Sequence, residues 1–314
     1  MSHVSKERID SIDLEIIKEL SYDARQTADM LSRKIGKSRS TTQGRLQKLL
    51  KHNIVKIVPI VDPTAVGYEI ASLFGINTLP DQVDIVADRL ASEDHIYHVL
   101  VCAGRYNIMI TAIFEDYEQL SDYIRTNLNQ IPGIKAIDTI MIHKMLKPSI
   151  FASTDNHYRL FHKTEGFRLD ELDLNIVNEL RHDARQSQVE LGAKLGTSST
   201  TIRRRMRRLL DNNVLKMIAV RNPDISTYPV RVAIGIRTQH GKSHYVEDKL
   251  VPQTSITHAV LCSGRYNIMI WAHFDKYHDF SYFMLEYFEH IPEIDMHETL
   301  MILRPVKEVF LTHE

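Results

Sequence analysis

Apolar residues recur at helical spacing from the start of the chain, where Ile12, Ile16, Ile17 and Leu20 follow Asp10, a good N-terminal cap. A second stripe of Ala28, Leu31 and Ile35 is stopped by Gly36. A third, opened by Ser38, sets Thr42, Leu46 and Leu49 on one face before Asn53. Two short helices joined by a tight glycine-containing turn predict a helix-turn-helix. After a turn at Asp62-Pro63 the period changes. "EIASLFGIN" predicts a strand, the stretch from Asp81 to about Ala91 a helix capped by Asp81, and "IYHVLVCAGRYNIMITAIF" a hairpin. Tyr117, Leu120, Tyr123, Ile124 and Leu128 form the inward stripe of another helix, and "IKAIDTIMIHKML" is a last strand. The order β-α-β-β-α-β is ferredoxin-like.

The whole pattern then starts again. Leu172, Ile176, Val177 and Leu180 repeat the first stripe, Gly196 the stop, and Ile202, Met206 and Leu209 the third helix. "CAGRYNIMI" at 102–110 and "CSGRYNIMI" at 262–270 share eight of nine residues at a spacing of 160. Asp23-Ala24-Arg25-Gln26 returns as Asp183-Ala184-Arg185-Gln186, Pro63 as Pro223, Gly75 as Gly235, His98 as His258 and Thr139 as Thr299, without insertion. Such a unit is far longer than a solenoid repeat, so the chain reads as a fused dimer. The expected class is α+β: a winged-type helix-turn-helix (residues 1–60) and a ferredoxin-like effector and oligomerisation domain (61–150), duplicated in tandem. A linker (151–168) leads to the second helix-turn-helix (169–220) and second ferredoxin-like domain (221–314).

Gly104-Arg105-Tyr106-Asn107 connects the hairpin strands, with glycine and asparagine supplying conformations that other residues resist. The flanking strands, Val99-Leu100-Val101-Cys102 and Ile108-Met109-Ile110, are apolar on both faces, whereas a half-exposed antiparallel sheet alternates. Helices cover one face, so the sheet of the other copy is expected on the second.

Composition narrows the function. The chain has 314 residues, 43% hydrophobic and 25% charged, with a formal net charge of -1, which leaves local clustering to decide about nucleic acid. Cys102 and Cys262 lie in apolar runs and suggest neither a disulfide framework nor a zinc site. The N-terminus has no apolar stretch suited to a signal peptide and no run is long enough to span a bilayer, so a cytoplasmic, membrane-free protein is expected. No paired carboxylates, nucleophile elbow, phosphate loop or metal cluster is written in the chain; neither catalytic residues, a metal nor a cofactor is expected.

The third helix of each copy carries the clearest chemistry. Arg203, Arg204, Arg205, Arg207 and Arg208 fall within six positions, and the apolar stripe leaves Arg203, Arg204, Arg207 and Arg208 outward. A run of charge is usually a solvated face, yet five arginines with no acid among them suit a polyanion better. Copy one offers Arg39, Gln43, Arg45 and Lys48, with Ser38, Ser40 and Thr41 at the helix start; Ser198, Ser199, Thr200 and Thr201 stand there in copy two. Arginine and lysine meet phosphates or guanine, glutamine pairs with adenine, and a helix N-terminus enters the major groove, so double-stranded DNA is the expected partner. His98 and His258 alternate with apolar residues and suit hydrogen-bonded core positions or ligand contacts, while Trp271, in place of Thr111, fills space at the interface between copies.

"IDLEIIKELSYDARQ", "GKSRSTTQGRLQKLL" and the hairpin Gly-x-Tyr-Asn, each written twice or nearly so, resemble the Lrp/AsnC family of transcriptional regulators. The resemblance implies paired recognition helices, with Arg45 and Arg205 matching the family's helix arginine. It also implies a C-terminal module that binds a small-molecule effector, often an amino acid, and assembles chains; a fused dimer should assemble as two or four chains. The effector would lie near the hairpins, at His98, Gly104, Arg105, Tyr106, Asn107 and Thr139, and at His258, Gly264, Arg265, Tyr266, Asn267 and Thr299. Two departures stand out: family members usually carry one copy per chain, and Asn107 and Asn267 replace the usual acid, which removes a negative charge. The architecture also resembles the siroheme decarboxylases, tetrapyrrole enzymes built from Lrp-like halves. That alternative would use His98 with Tyr106, or His258 with Tyr266, as proton donors and Arg105 or Arg265 to hold acidic side groups.

Overall fold

The computed structural model describes residues 9–147, 167, 169–184, 186–212, 214–221 and 229–308; Arg185, Pro223 and all of the expected linker but Phe167 lie outside these. Helix α1 (Ser11–Tyr22) opens with a reciprocal cap in which Asp10 accepts from the amides of Ile12 and Asp13, both at 3.0 Å. Helix α2 (Ala28–Ile35) ends at Gly36, whose φ of 65° is left-handed and favours glycine. Helix α3 (Arg39–Lys51) starts on Ser38, whose hydroxyl accepts from the Thr41 amide at 3.1 Å, and buries Thr42, Leu46 and Leu49. Strand β1 (Val55–Val61) follows. The ferredoxin-like part comprises β2 (Ile70–Thr78), α4 (Val83–Ala91), β3 (Ile96–Ala103), β4 (Ile108–Phe114), α5 (Tyr117–Thr126) and β5 (Ile134–Lys147). Copy two repeats the order with α6 (Glu171–His182), α7 (Gln188–Lys194), α8 (Ser199–Asp211), β6 (Leu215–Arg221), β7 (Val230–Thr238), α9 (Ser243–Leu250), β8 (Ile256–Ser263), β9 (Ile268–Phe274), α10 (Tyr277–Tyr282) and β10 (Ile294–Glu308).

Three local expectations are corrected. Asp81 does not cap α4: a 3-10 turn, Pro80–Gln82, precedes it and Gln82 takes the cap position, because proline fixes the preceding turn. Tyr117 is 67% exposed, since Asp116 caps α5 and leaves Tyr117 at its outer first position. Asn107 is not left-handed; its side chain, rather than its backbone, shapes the turn, as its bonds below show.

The copies are interlocked in two places. Strand β1 pairs not within its own helix-turn-helix but antiparallel with β6, and Val58 faces Ile218, its own counterpart. The helix-turn-helix units accordingly share one core, with Ile16, Leu20 and Leu46 beside Ile176, Leu180 and Met206. In the second place the two sheets close into a barrel of order β10-β3-β4-β2-β5-β8-β9-β7. The long last strands do this: β5 pairs with β2 through its first part and with β8 of copy two through its end, while β10 pairs with β7 and then with β3. Register shifts between Ile142 and Lys144, and between Ile302 and Arg304, mark the crossings, as bulges do where a strand changes partner. Each crossing strand is anchored by a lysine near its end at the carbonyls closing the other copy's helix, Lys147 Nζ on Val251 (2.9 Å) and Gln253 (2.8 Å), Lys307 Nζ on Glu93 (2.8 Å). A cation at a helix C-terminus is favoured by the aligned peptide dipoles.

Both faces of the hairpin strands β3, β4, β8 and β9 are therefore covered. Helices pack outside, on Phe74, Ile108 and Ile110 in copy one and on Ile234, Ile268 and Ile270 in copy two. Inside, Leu73, Leu100 and Met109 meet Val260, Met269 and Trp271. This is why the hairpin strands carry no polar alternation. Among the described residues no helix is long and apolar enough to cross a membrane.

Candidate nucleic-acid interface and regulatory cluster

The outer faces of α3 and α8 differ. On α3, Ser38, Arg39, Ser40, Thr41 and Gln43 are exposed and Lys48 is half-buried. Gln43 and Arg39 border a cleft with Thr27 and Asp29 of the α2 start. On α8, Ser198, Thr200, Arg203, Arg204, Arg207 and Arg208 are exposed, with Ser199 and Thr201 half-buried. Arg203, the counterpart of Gln43, donates from Nε to Gln188 Oε1 at 3.1 Å and so spans from α8 to α7. Arg207 is 82% exposed and only loosely near Asp211, at 3.8 Å.

Arg45 and Arg205 sit differently from their neighbours. Arg45 Nη1 lies 2.5 Å from Asp10 and 3.1 Å from Asp13, and Arg205 contacts Asp170 and, at 3.3 Å, Asp173. Asp13 and Asp173 are buried, so these arginines neutralise carboxylates at the foot of α1 and α6 and fix α3 and α8 each to its own domain. The Asp10 and Asp170 carboxyls are held below the usual range, first by the backbone amides they cap and also by these arginines. Arg208 shares this duty, with Nη1 at 3.6 Å from Asp173 and its guanidinium over the Phe167 ring at 4.4 Å. The fixing role was hidden in the sequence because the acids lie about thirty residues upstream, on another helix.

At the hairpins the residues expected to meet an effector are engaged with one another. Tyr106 and Tyr266 are each 1% exposed. Their rings occupy the space that a side chain would take at Gly75 and Gly235: an added Cβ would stand 2.5 and 2.6 Å from them. Tyr106 donates to Asp138 at 2.6 Å, Tyr266 donates to Glu298, and the two hydroxyls also interact. Burial, then the neighbouring carboxylate, pushes both phenols up. Arg265 makes a bidentate pair with Glu298, two bonds of 2.8 Å, and that pairing pulls the Glu298 carboxyl down to about 2. Arg105 reaches Asp138 (3.5 Å) in its own copy and Glu298 (3.6 Å) in the other. Asp138 and Glu298, counterparts on β5 and β10, are thus central to the cluster and were missed in the sequence; their matched places in the repeat were the available signal.

The remaining hairpin positions are structural. Asn107 Oδ1 accepts from the Thr78 amide at 2.7 Å, and Asn267 Oδ1 from the Thr238 amide at 2.9 Å, tying each hairpin to the neighbouring strand end. Gly104 has φ 137° and an added Cβ would strike the Thr299 carbonyl at 2.9 Å; Gly264 (φ 118°) meets Thr139 identically, so each turn packs on the other copy's last strand. His98 and His258 lie near the other end of these strands, where His258 is within the field of His98. Burial, then the Arg231 charge, lowers His98 to about 4; burial, then His98, lowers His258 to about 3. Burial likewise raises Cys102 and Cys262 to about 12, as expected of small apolar core residues. Among the described residues no group of three or more His, Cys, Asp or Glu side chains is placed to hold a metal ion.

Comparison with known proteins agrees with this duplication. The AsnC-type helix-turn-helix domain matches residues 9–50 and 169–210, and the Lrp/AsnC ligand binding domain matches residues 72–150. An uncharacterized HTH-type transcriptional regulator of Pyrococcus horikoshii is 27% identical over 146 residues, 46% of this chain and 92% of the relative. The HTH-type transcriptional regulator LrpA of the same organism is 27% identical over 140 residues, 44% of this chain and 99% of its own. Each relative thus corresponds to one copy. Among solved structures, the siroheme decarboxylase NirDL is similar over 96% of this chain and 94% of its own, with a TM-score of 0.69 and 16% identity, a likeness of fold. Two AsnC-type helix-turn-helix units and an Lrp/AsnC ligand binding domain, set in a repeated frame, establish that the chain belongs to the Lrp/AsnC family, as a tandem member.

Proposed function

We propose that the protein is a sequence-specific DNA-binding transcriptional regulator in which one chain does the work of a dimer, with α3 and α8 as paired but unequal recognition helices and with the barrel as the effector-responsive part. The observation that carries this reading is the outward basic face of α8, set beside the polar, less charged face of α3, on units matched to a DNA-binding family. In a homodimer, operator symmetry mirrors protein symmetry. Here Gln43 and Gly44 stand where Arg203 and Arg204 stand in copy two. Arginine prefers guanine edges and grips phosphate, whereas glutamine favours adenine and adds no charge. The operator is therefore an imperfect palindrome bound mainly through the copy-two half-site. An effector acts by preferring one spacing of the two units over another, since a ligand shifts an assembly only by its differential affinity. Selection of sites from random DNA tests the asymmetry: mutations in one half-site should cost more affinity than their mirror images, and a perfect palindrome with equal penalties would overturn it.

The enzyme reading has in its favour the full-length likeness of fold to the siroheme decarboxylase. Against it, Arg105 and Arg265 already face Asp138 and Glu298, Tyr106 and Tyr266 already donate to those carboxylates, and His98 and His258 are held neutral by burial, so the arginines and tyrosines named for that chemistry are engaged and the histidines uncharged. A strong visible band on addition of an iron tetrapyrrole, with no binding to upstream DNA, would reverse this preference.

A further inference from the structure

With the hairpin tyrosines and arginines engaged in the barrel, the open space beside the hairpin lies elsewhere. A cleft of about 640 Å³ opens in copy two between the end of β7, the start of α9, the base of β10 and the Asn267 turn. Arg237, His240, Ser243, Leu261 and Asp295 line it, and His143 enters from β5 of copy one. His143 is held there by its Nε2 contact with Ser263 Oγ at 2.7 Å, so the cleft is complete only where the two copies meet. Arg237 is exposed, and no side-chain partner is found for it among the described residues.

The electrostatics favour an anion. A guanidinium, two imidazoles and the start of α9, which has no side-chain cap, converge on the space, against one carboxylate, Asp295. A hydroxyl group on the ligand would give Asp295 a donor. The counterpart positions in copy one are different in kind: Asn77 for Arg237, Pro80 for His240, Asp81 for Gly241, Lys135 for Asp295 and Leu303 for His143. There the 3-10 turn also lays Gln82 against Gly133, where an added Cβ would meet it at 2.8 Å. Neither the guanidinium nor either imidazole has a counterpart at the corresponding place beside copy one.

We propose that this cleft binds one small hydroxylated carboxylate or phosphate ester per chain, in copy two alone, with Arg237 as the anion-holding group. The assignment rests on the regulatory reading for its consequence, but not for its existence. Leu261 in the cleft and Val101, its copy-one counterpart, supply paired methyl probes in the intact chain. Methyl NMR of the full-length protein, titrated with glycerol 3-phosphate or malate against a chloride control of equal ionic strength, should show saturable shifts at Leu261 and none at Val101. Whichever probe saturates identifies the phosphate or the carboxylate source. Arg237→Gln should weaken binding at least about tenfold, the loss implied by one charge-assisted hydrogen bond, and Arg237→Lys should lose less. An unchanged Val101 signal shows that each variant is folded. No saturation with either probe, equal shifts at both methyls, or full affinity in Arg237→Gln would overturn the proposal. Saturation at Leu261 with DNA affinity unmoved would keep the site and remove its regulatory role.

Discussion

Gly75→Ala isolates the packing that joins the hairpin to the barrel. Gly75 has no positive φ, so its backbone does not require glycine, and in a strand interior alanine is ordinarily favoured by about 0.5–1 kcal/mol. The Tyr106 ring reverses that sign. An added methyl would stand 2.5 Å from its Cε2 and Cζ, and the ring is 1% exposed, with its hydroxyl fixed 2.6 Å from Asp138. Overpacking of this kind costs about 1–3 kcal/mol and displacing the hydroxyl from a charged acceptor adds about 1–2, which, less the gain of about 0.5–1 that alanine otherwise brings, is a net destabilisation of about 1–4.5 kcal/mol. At about 2–4 °C per kcal/mol for domains of this size, the thermal midpoint should fall by about 2–18 °C. Gly235→Ala should behave alike, since Tyr266 lies 2.6 Å from the same point. The control is the double variant Gly75→Ala with Tyr106→Leu: once the ring is gone, alanine should cost nothing relative to Tyr106→Leu alone. Differential scanning calorimetry measures all four proteins. A midpoint for Gly75→Ala within about 1 °C of the parent, or the same loss in the Tyr106→Leu background, would refute the argument that the ring occupies this space.

Three further outcomes are expected. Replacing Arg203, Arg204 and Arg207 with alanine should weaken DNA binding by orders of magnitude and flatten its salt dependence, because phosphate contacts release counterions; titrations at several salt concentrations measure the slope, and an unchanged slope removes these residues from the interface. Light scattering should find two or four chains, and a strict monomer of 36.3 kDa on DNA would show that fusion has replaced assembly. The histidines give a pH dependence. His98 and His258 are depressed in the fold to about 4 and about 3 from 6.5, so the unfolded chain binds more protons between these values; stability is full above about pH 6.5 and falls as the pH drops toward 4. Urea denaturation at pH 5 and 7 checks the sign, and His98→Asn should shrink the difference.

The sequence alone determined the repeat, the element types and the inward stripes, because these depend on local spacing: Ile202, Met206 and Leu209 on α8 are buried as their period requires. It also marked the apolar hairpin strands as covered on both sides. What it left open were partnerships between residues far apart in the chain. Arg45 and Arg205 read as DNA contacts, with nothing in the sequence to show that α1 and α6 bring buried carboxylates beneath them. Arg105, Tyr106, Arg265 and Tyr266 read as ligand contacts until the pairing of β5 with β2 and of β10 with β7 set Asp138 and Glu298 beside them from about thirty residues away. Charge written in a sequence has a sign but no direction. Tertiary packing alone decided which of these groups neutralise one another and which, like Arg237, are left facing outward.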